Sequence, residues 1–188
     1  MNITFIGNCQ TLSLCFYFQK MLDDNYYVSW IASYKNAYEW GSNLLKDRVK
    51  NKIFDYDEAI NIIKKSDIII WQNIIEGKSK ICNSIFLSSI NNKCRLIQLP
   101  SIYLIYDNFD NSIKELITRE NKNKVDIKVS DIFLKFRDKN LMLTKNHPNT
   151  FLFMEVIKKL CQTLNFNFFS DNDYNNFLKD NNFVKLPL

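Results

Sequence analysis

The sequence predicts an α/β fold, a three-layer sandwich around a short parallel sheet, to which a helical C-terminal half is added. Two observations lead to this prediction. In residues 1–105, short β-rich segments alternate with segments whose apolar residues recur at helical spacing, as in β-α-β units. The predicted strand at residues 67–71 contains a continuous apolar run, Ile68 to Trp71, of the kind that parallel sheets bury on both faces. Residues 106–188 are mainly helical in pattern, so we interpret 1–188 as one domain with two differently built halves.

Turn-forming residues place the elements of the first half. The first strand ends at Gly7, and a helical apolar pattern begins a few residues later. The last strand stops at Pro100, which lacks the N–H donor that a continuing strand needs. The predicted strands are residues 2–6, 26–31, 67–71 and 95–99, and the predicted helices are 10–22, 36–50, 57–65 and 81–90.

The second half is predicted to be helical. Its clearest helix covers residues 150–164, where Leu152, Val156 and Leu160 fall in register and Pro148 precedes the start. Residues 119–126 are the most polar stretch of the chain and are predicted to be an exposed connection. Further helices are predicted at 112–120, 130–139 and 171–180.

Composition limits the classes of protein that this chain can belong to. With 188 residues, of which 46% are hydrophobic, it can bury a core without disulfides or a structural metal. The net charge of +5 favours anionic ligands, but basic residues are mixed with acidic ones, which argues against nucleic-acid binding. No apolar stretch approaches the roughly 18 residues of a membrane span. The five cysteines contain no CxxC pair and there is one histidine, so we expect no metal site and a reducing, cytoplasmic compartment.

The segment Gly7-Asn8-Cys9-Gln10 lies where the first predicted strand gives way to the first helix. Open parallel sheets bind ligands at this carboxyl end of their strands. The N–H groups of a helix N-terminus stabilise a thiolate and an oxyanion, so Cys9 is a candidate nucleophile. The alternative is that Cys9 is a small buried residue, as free cysteines commonly are. The other four cysteines lie inside apolar segments and are interpreted as structural: Cys15, Cys82, Cys94 and Cys161.

His147 is the only histidine, so any mechanism that needs an imidazole must use it. It lies in Asn146-His147-Pro148-Asn149, a loop before a predicted helix, and Pro148 restricts how the preceding residue can be oriented. The alternative is a surface histidine beside an ordinary helix cap.

Two amides end the buried strand of residues 67–71. Side chains such as Gln72 and Asn73 can donate hydrogen bonds to a developing oxyanion without adding charge. For Asn73, simple turn formation is the stronger interpretation.

Four elements in a fixed order, GNCQ, DIIIWQ, LPSIYLIYDN and NHPN, give the chain a resemblance to the WcbI family of polysaccharide-biosynthesis enzymes, from residue 1 to about 165. The resemblance implies a coenzyme A-binding protein linked to O-acetylation of capsular sugars. It also implies an α/β part similar to SGNH esterases and acetyltransferases, with a short SGNH- or flavodoxin-like parallel sheet.

By position, the resemblance puts Cys9 in the place of the SGNH nucleophile, Gln72 or Asn73 in that of the oxyanion-hole asparagine, and His147 in that of the base. The neighbouring amides are predicted to bind substrate or oxyanion: Asn8, Gln10 and Asn146, with Asn73. SGNH enzymes typically have an aspartate three residues before the histidine, where this chain has Thr144. The third member of a triad is therefore absent or comes from elsewhere.

The predicted function is transfer of acetyl from acetyl-CoA, as co-substrate, to a hydroxyl of a sugar or polysaccharide precursor. The phosphates of coenzyme A require cations, for which Arg137 and Lys145 are the candidates, with Arg119 and Lys135. One alternative is an SGNH-like esterase or deacylase that uses the same residues with water as acceptor. The other is a non-catalytic binding module, in which Cys9 and His147 lie far apart. The oligomeric state is not indicated by any pattern.

Overall fold

The structure is a computed structural model that describes residues 1–22, 25–33, 51–53, 55–74, 83–170, 174–176 and 178. The chain divides into two compact units, residues 1–101 with 123–126 and residues 102–122 with 127–188. The first boundary lies close to residue 105, where the sequence pattern changes. That all 188 residues fold as one domain stays a prediction.

The first unit contains a five-stranded, fully parallel sheet in the order β3-β2-β1-β4-β5. The four strands predicted from sequence are all present, in the spatial order β2-β1-β4-β5. The short edge strand β3 was not predicted, and the helix predicted at 36–50 lies outside the described residues. The strands are β1 Asn2–Gly7, β2 Tyr27–Ala32, β3 Asn51–Ile53, β4 Ile68–Gln72 and β5 Arg95–Leu99, and the helices are α1 Cys9–Gln19, α2 Tyr56–Lys65 and α3 Asn83–Ser89.

Helices cover both faces of this sheet. On one face Phe5 of β1 packs against Phe18 of α1, with ring centroids 5.6 Å apart. On the other face Ile6 lies in a buried apolar cluster with Ile63 of α2 and Phe86 of α3. Since alternate residues of a strand point to opposite faces, one strand supplies both cores. The predicted three-layer α/β sandwich is confirmed.

The second unit is mainly helical but is not free of strands. Residues 142–148 form a two-stranded antiparallel hairpin, so His147 lies on a short strand and not in the predicted loop. The helix predicted at 130–139 ends at Lys135, and within the segment 171–180 residues 174–176 are helical. The elements are α4 Phe109–Asn123, α5 Ser130–Lys135, β6 Met142–Thr144, β7 His147–Pro148 and α6 Thr150–Leu164.

The polar run at 119–126 is not the exposed connection that the sequence predicts. Helix α4 continues through it to Asn123, and Glu120 is only 1% exposed. The Glu120 carboxylate accepts hydrogen bonds from the backbone N–H groups of Val129 (2.6 Å) and Ser130 (3.0 Å) and from the Ser130 hydroxyl. It therefore caps the N-terminus of α5, whose own N-cap residue Val129 has no capping side chain. The prediction was wrong because nothing in the sequence distinguishes Glu120, a buried and hydrogen-bonded carboxylate, from the exposed charged residues around it.

Candidate functional site

The strand order places the candidate cysteine at the point where the sheet changes direction. From β1 the chain proceeds outward to β2 on one side, and it later returns to β4 on the other side. Open α/β sheets bind ligands at the carboxyl ends of the two strands that flank this reversal. Here those ends are Gly7 of β1 and Gln72 of β4.

Cys9 is the first residue of α1, with Asn8 as the N-cap. The Asn8 side-chain oxygen accepts a hydrogen bond from the Gln10 backbone N–H at 2.8 Å, which satisfies one of the free donors of the helix. The Cys9 side chain is half-buried. The sequence therefore predicts correctly that Cys9 lies at a helix N-terminus. In this structure the Asn8 side chain caps that helix.

The charge state expected for Cys9 needs correction. Burial raises the pKa of the Cys9 thiol above its ordinary value, and this effect outweighs the backbone N–H groups of Cys9 and Gln10, which lower it. A helix N-terminus alone predicts a thiolate, but the apolar surroundings favour the neutral form. Cys9 is thus mainly a thiol near neutral pH, and it needs a base before it can act as a nucleophile.

Gly7 is required by the close approach of the turn that precedes Cys9. Its φ is +154°, and a Cβ built on it would lie 2.8 Å from Thr11 Cγ2 and 3.1 Å from Gln72 Oε1. Thr11 in turn donates to the Asn8 carbonyl at 2.7 Å and accepts from the Trp30 ring N–H at 3.0 Å. Buried Thr11 therefore stabilises the turn that precedes Cys9, and no sequence pattern pointed to it.

Gln72 links the two strand ends. Its Nε2 donates to Gln10 Oε1 and to the Pro100 carbonyl, both at 3.0 Å, and its side chain is 2% exposed. Gln72 Oε1 is buried and has no hydrogen-bond partner among the described residues. Both amide protons are used, so in this arrangement Gln72 positions Gln10 at the start of α1. Its role as an oxyanion donor stays a prediction.

Asn73 lies in a side-chain turn. Its Oδ1 accepts from the side-chain amide of Asn83, whose own Oδ1 accepts from the Ile74 backbone N–H at 2.9 Å. Asn73 is exposed. These contacts agree with the turn-forming interpretation of this residue.

His147 makes a contact that the sequence left unidentified. Its Nδ1 lies 2.7 Å from Thr144 Oγ1, and the same hydroxyl donates to Asn146 Oδ1 at 3.0 Å. Thr144 and His147 are also backbone partners across the β6–β7 hairpin. Thr144, three residues before His147, thus contacts the ring, and this spacing was the signal available in the sequence.

Several contacts fix the hairpin that carries His147. The Asn149 backbone N–H donates to the Leu141 carbonyl at 3.0 Å, and the Asn149 side chain caps α6 by accepting from Leu152 N–H at 2.8 Å. At the hairpin tip, the Leu104 N–H donates to the Lys145 carbonyl at 2.7 Å. The His147 ring is therefore carried on a hairpin whose ends and tip are held by hydrogen bonds.

The cations predicted to hold phosphates already have acidic partners. Arg137 pairs with Asp110 at 2.6 Å, and Lys145 pairs with Asp107 at 2.8 Å and lowers the pKa of that carboxyl. Arg119 pairs with Glu115 at 2.7 Å. The Arg137 and Lys145 pairs are exposed, so an incoming phosphate can displace their carboxylates, whereas the Arg119 pair is partly buried. The fourth candidate lines a small cavity of about 140 Å³ together with other charged residues: Lys135, with Asp131, Glu155, Lys158 and Lys159.

Within the described ranges, no group of three or more His, Cys, Asp or Glu side chains is arranged to hold a metal ion. No helix in the same ranges is both long enough and apolar enough to cross a bilayer.

Cys9 belongs to the first unit and His147 to the second. The contacts given above for each residue lie within its own unit, and the pairing of Cys9 with His147 as a dyad stays a prediction.

The fold and the position of Cys9 define an α/β protein with a cysteine at the reversal point of a parallel sheet. Among solved structures the chain is similar to WcbI, described as a novel polysaccharide biosynthesis enzyme, in a native form without a disulfide bond between coenzyme A and one of its cysteines. The two share 14% identity with a TM-score of 0.60, over 89% of this chain and 70% of that one. At this identity the likeness establishes the fold. No protein-family model and no curated protein sequence matches the chain.

Proposed function

We propose that this protein is a coenzyme A-dependent O-acetyltransferase that acts on a sugar of a capsular or surface polysaccharide in the cytoplasm. The observation that carries the proposal is the half-buried thiol of Cys9 at the N-terminus of α1, at the ligand-binding end of the sheet. The likeness in fold to WcbI supports it, because that polysaccharide biosynthesis enzyme has a native form distinguished by the absence of a disulfide bond between coenzyme A and one of its cysteines. Cys9 is the cysteine of this chain that best fits such a role.

Two routes of acetyl transfer use the same residues. In the covalent route, His147 takes the Cys9 proton, the sulfur attacks the thioester carbonyl, and coenzyme A leaves as its thiol with that proton. The sugar hydroxyl then gives its proton to His147 and attacks the acetyl-Cys9 thioester, which returns Cys9 to the thiol. In the direct route, His147 takes the proton of the sugar hydroxyl, whose oxygen attacks the carbonyl of acetyl-CoA, and coenzyme A leaves as its thiol with that proton, while Cys9 shapes the site.

The raised pKa of Cys9 favours the direct route, since a neutral thiol is a poor nucleophile. The Cys9 backbone N–H is the proposed donor to the tetrahedral oxyanion. Gln72 assists by holding Gln10 and becomes a direct donor only if it gives up the bond to Gln10. Asn146 is proposed to orient substrate beside His147, and Arg137 and Lys145 to bind coenzyme A phosphates.

Calorimetry with coenzyme A and then acetyl-CoA tests the ligand, and consumption of acetyl-CoA with a hexose or deoxyheptose acceptor tests the reaction. We expect His147→Gln to keep binding but to lower turnover by about 10²–10⁴-fold, the usual contribution of general base catalysis. Lys64→Gln, a change of an exposed lysine on α2 outside the proposed catalytic and binding residues, is the control. An active protein whose rate is unaltered by His147→Gln would exclude this mechanism, because the chain has no other histidine.

The two routes differ in one intermediate. Mass spectrometry of a single turnover detects an acetyl group on Cys9 in the covalent route and none in the direct route. Cys9→Ala abolishes turnover in the first case and reduces it in the second.

A hydrolase is the second candidate, because the Arg137 and Lys145 cations are each paired with a carboxylate. An esterase needs the same base and oxyanion donors but no coenzyme A. Release of acetate from an acetylated sugar, together with no heat of binding for coenzyme A, would favour it over the transferase. Absence of both activities would leave a binding module.

A further inference from the structure

The contacts around His147 determine which ring nitrogen carries the proton. A threonine hydroxyl has one proton, and that of Thr144 is donated to Asn146 Oδ1 at 3.0 Å. The Thr144 oxygen must therefore act as acceptor at its second contact, His147 Nδ1, 2.7 Å away. This requires a proton on Nδ1 and leaves the lone pair of the neutral ring on Nε2.

We propose that Thr144 is a positioning residue that takes the place of a triad carboxylate: it accepts the hydrogen bond from His147 Nδ1–H and so holds Nε2 ready to accept a proton. The catalytic meaning of this inference rests on the proposed function. The tautomer itself does not, since it is argued from the two hydrogen bonds of the Thr144 hydroxyl, with the Asn146 amide oriented as it is here.

The hairpin makes this contact a property of the backbone. Thr144 and His147 are register partners of β6 and β7, which brings their side chains together without any long-range constraint. Pro148 follows His147 and limits its backbone, and Lys145 is held at the tip by Leu104 N–H. The ring and its acceptor are therefore held on the same short hairpin.

A hydroxyl differs from a carboxylate in what it supplies. It orients the ring and selects the tautomer, but it carries no charge to stabilise the imidazolium that forms when Nε2 takes a proton. Thr144 thus provides the geometric part of the aspartate's role without the electrostatic part.

Nuclear magnetic resonance of the full chain tests the inference directly, because a protein with one histidine gives one set of ring signals. Long-range ¹H–¹⁵N correlation at a pH where the ring is neutral should show Nδ1 protonated and Nε2 unprotonated. In Thr144→Val the acceptor is lost, and the proton should move to Nε2, which is favoured in water. Thr144→Ser, which keeps the hydroxyl, should restore the Nδ1–H form.

Two outcomes would overturn the inference. If the Asn146 amide were reversed, Thr144 would donate to Nδ1 and the unaltered protein would show a proton on Nε2. A tautomer that is the same in Thr144→Val would show that Thr144 does not control it. Thr118→Val is the control, since Thr118 donates to the Lys114 carbonyl at 2.9 Å on α4 and should leave the ring signals unaltered.

Turnover adds a second readout if the protein is the proposed transferase. Thr144→Val should lower kcat about tenfold with little change in KM, the effect of one lost hydrogen bond, while Thr144→Ser stays near the unaltered rate. If the tautomer behaves as expected and no variant or parent shows turnover, the proposed function fails and only the control of the His147 tautomer by Thr144 stands. Unequal KM values with equal kcat would contradict a positioning role.

Discussion

At the residue scale, the environment of Cys9 combines two opposing influences. The N-terminus of α1 directs backbone N–H groups at the sulfur, whereas burial removes the water that would solvate a thiolate. Burial is the larger effect, so the position of the cysteine and its charge state are separate questions. For two other described thiols the effect of burial is less offset by hydrogen bonds: it raises the pKa of Cys94 to about 11 and that of Cys161 to about 12.

We predict that Cys9 is alkylated first by limiting iodoacetamide, and that its rate rises about tenfold for each pH unit from 7 to 9. The thiolate is the reactive form and the pKa of Cys9 is raised, so its fraction grows throughout this range. Peptide mass spectrometry after timed quenching measures the rate, with Cys9→Ser as control. A rate that levels off below pH 8 would indicate a preformed thiolate, and first labelling of Cys94 would contradict the predicted order.

At the scale of single elements, two short segments show how local patterns mislead. A hairpin of strands three and two residues long was not recognisable as strands, because neither is long enough to show alternation. Helix α5 begins without a capping side chain of its own, because its cap comes from Glu120 on another helix. In each case the stabilising partner lies outside the single strand or helix itself.

We predict that Glu120→Gln lowers the free energy of unfolding by about 2 kcal/mol, because an amide replaces a charged acceptor and turns an N–H donor toward other donors. For a chain of this size the melting temperature should fall by about 4–8 °C. Thermal unfolding measures the change. Glu58→Gln is the matched control: Glu58 is exposed, and the substitution should change stability by less than about 0.5 kcal/mol. Equal effects of the two substitutions would show that the Glu120 bonds contribute nothing.

At the scale of the whole molecule, the strand order decides where the candidate residues fall. Polar residues after β1 and β4 matter because these strands are neighbours that flank the reversal of the sheet. The apolar character of residues 67–71 predicted a buried strand, but no local pattern specifies which strand lies beside it. The contact between Gln72 and Gln10, 62 residues apart, is a consequence of that order.

We predict that Cys9 and His147 share one pocket, although 138 residues separate them in the sequence. Proton transfer requires hydrogen-bond reach or one bridging water. Carbamidomethylation of Cys9 should therefore shift the His147 ring ¹⁵N signals, whereas alkylation of Cys94 in a Cys9→Ser background should not. Ring signals that do not respond to Cys9 modification, or an experimental structure with the two groups more than about 10 Å apart, would remove the dyad.

The sequence by itself determined the α/β class, four of the five strands of the parallel sheet, the helix that follows the first strand and the uniqueness of His147. These follow from local periodicity, turn residues and counting, all of which lie within a short stretch of chain. Only the tertiary structure decided the strand order, the raised pKa of Cys9 and the partner of His147. Burial and hydrogen bonding depend on which distant residues are packed against a group, and packing is a property of the folded chain and not of its local pattern.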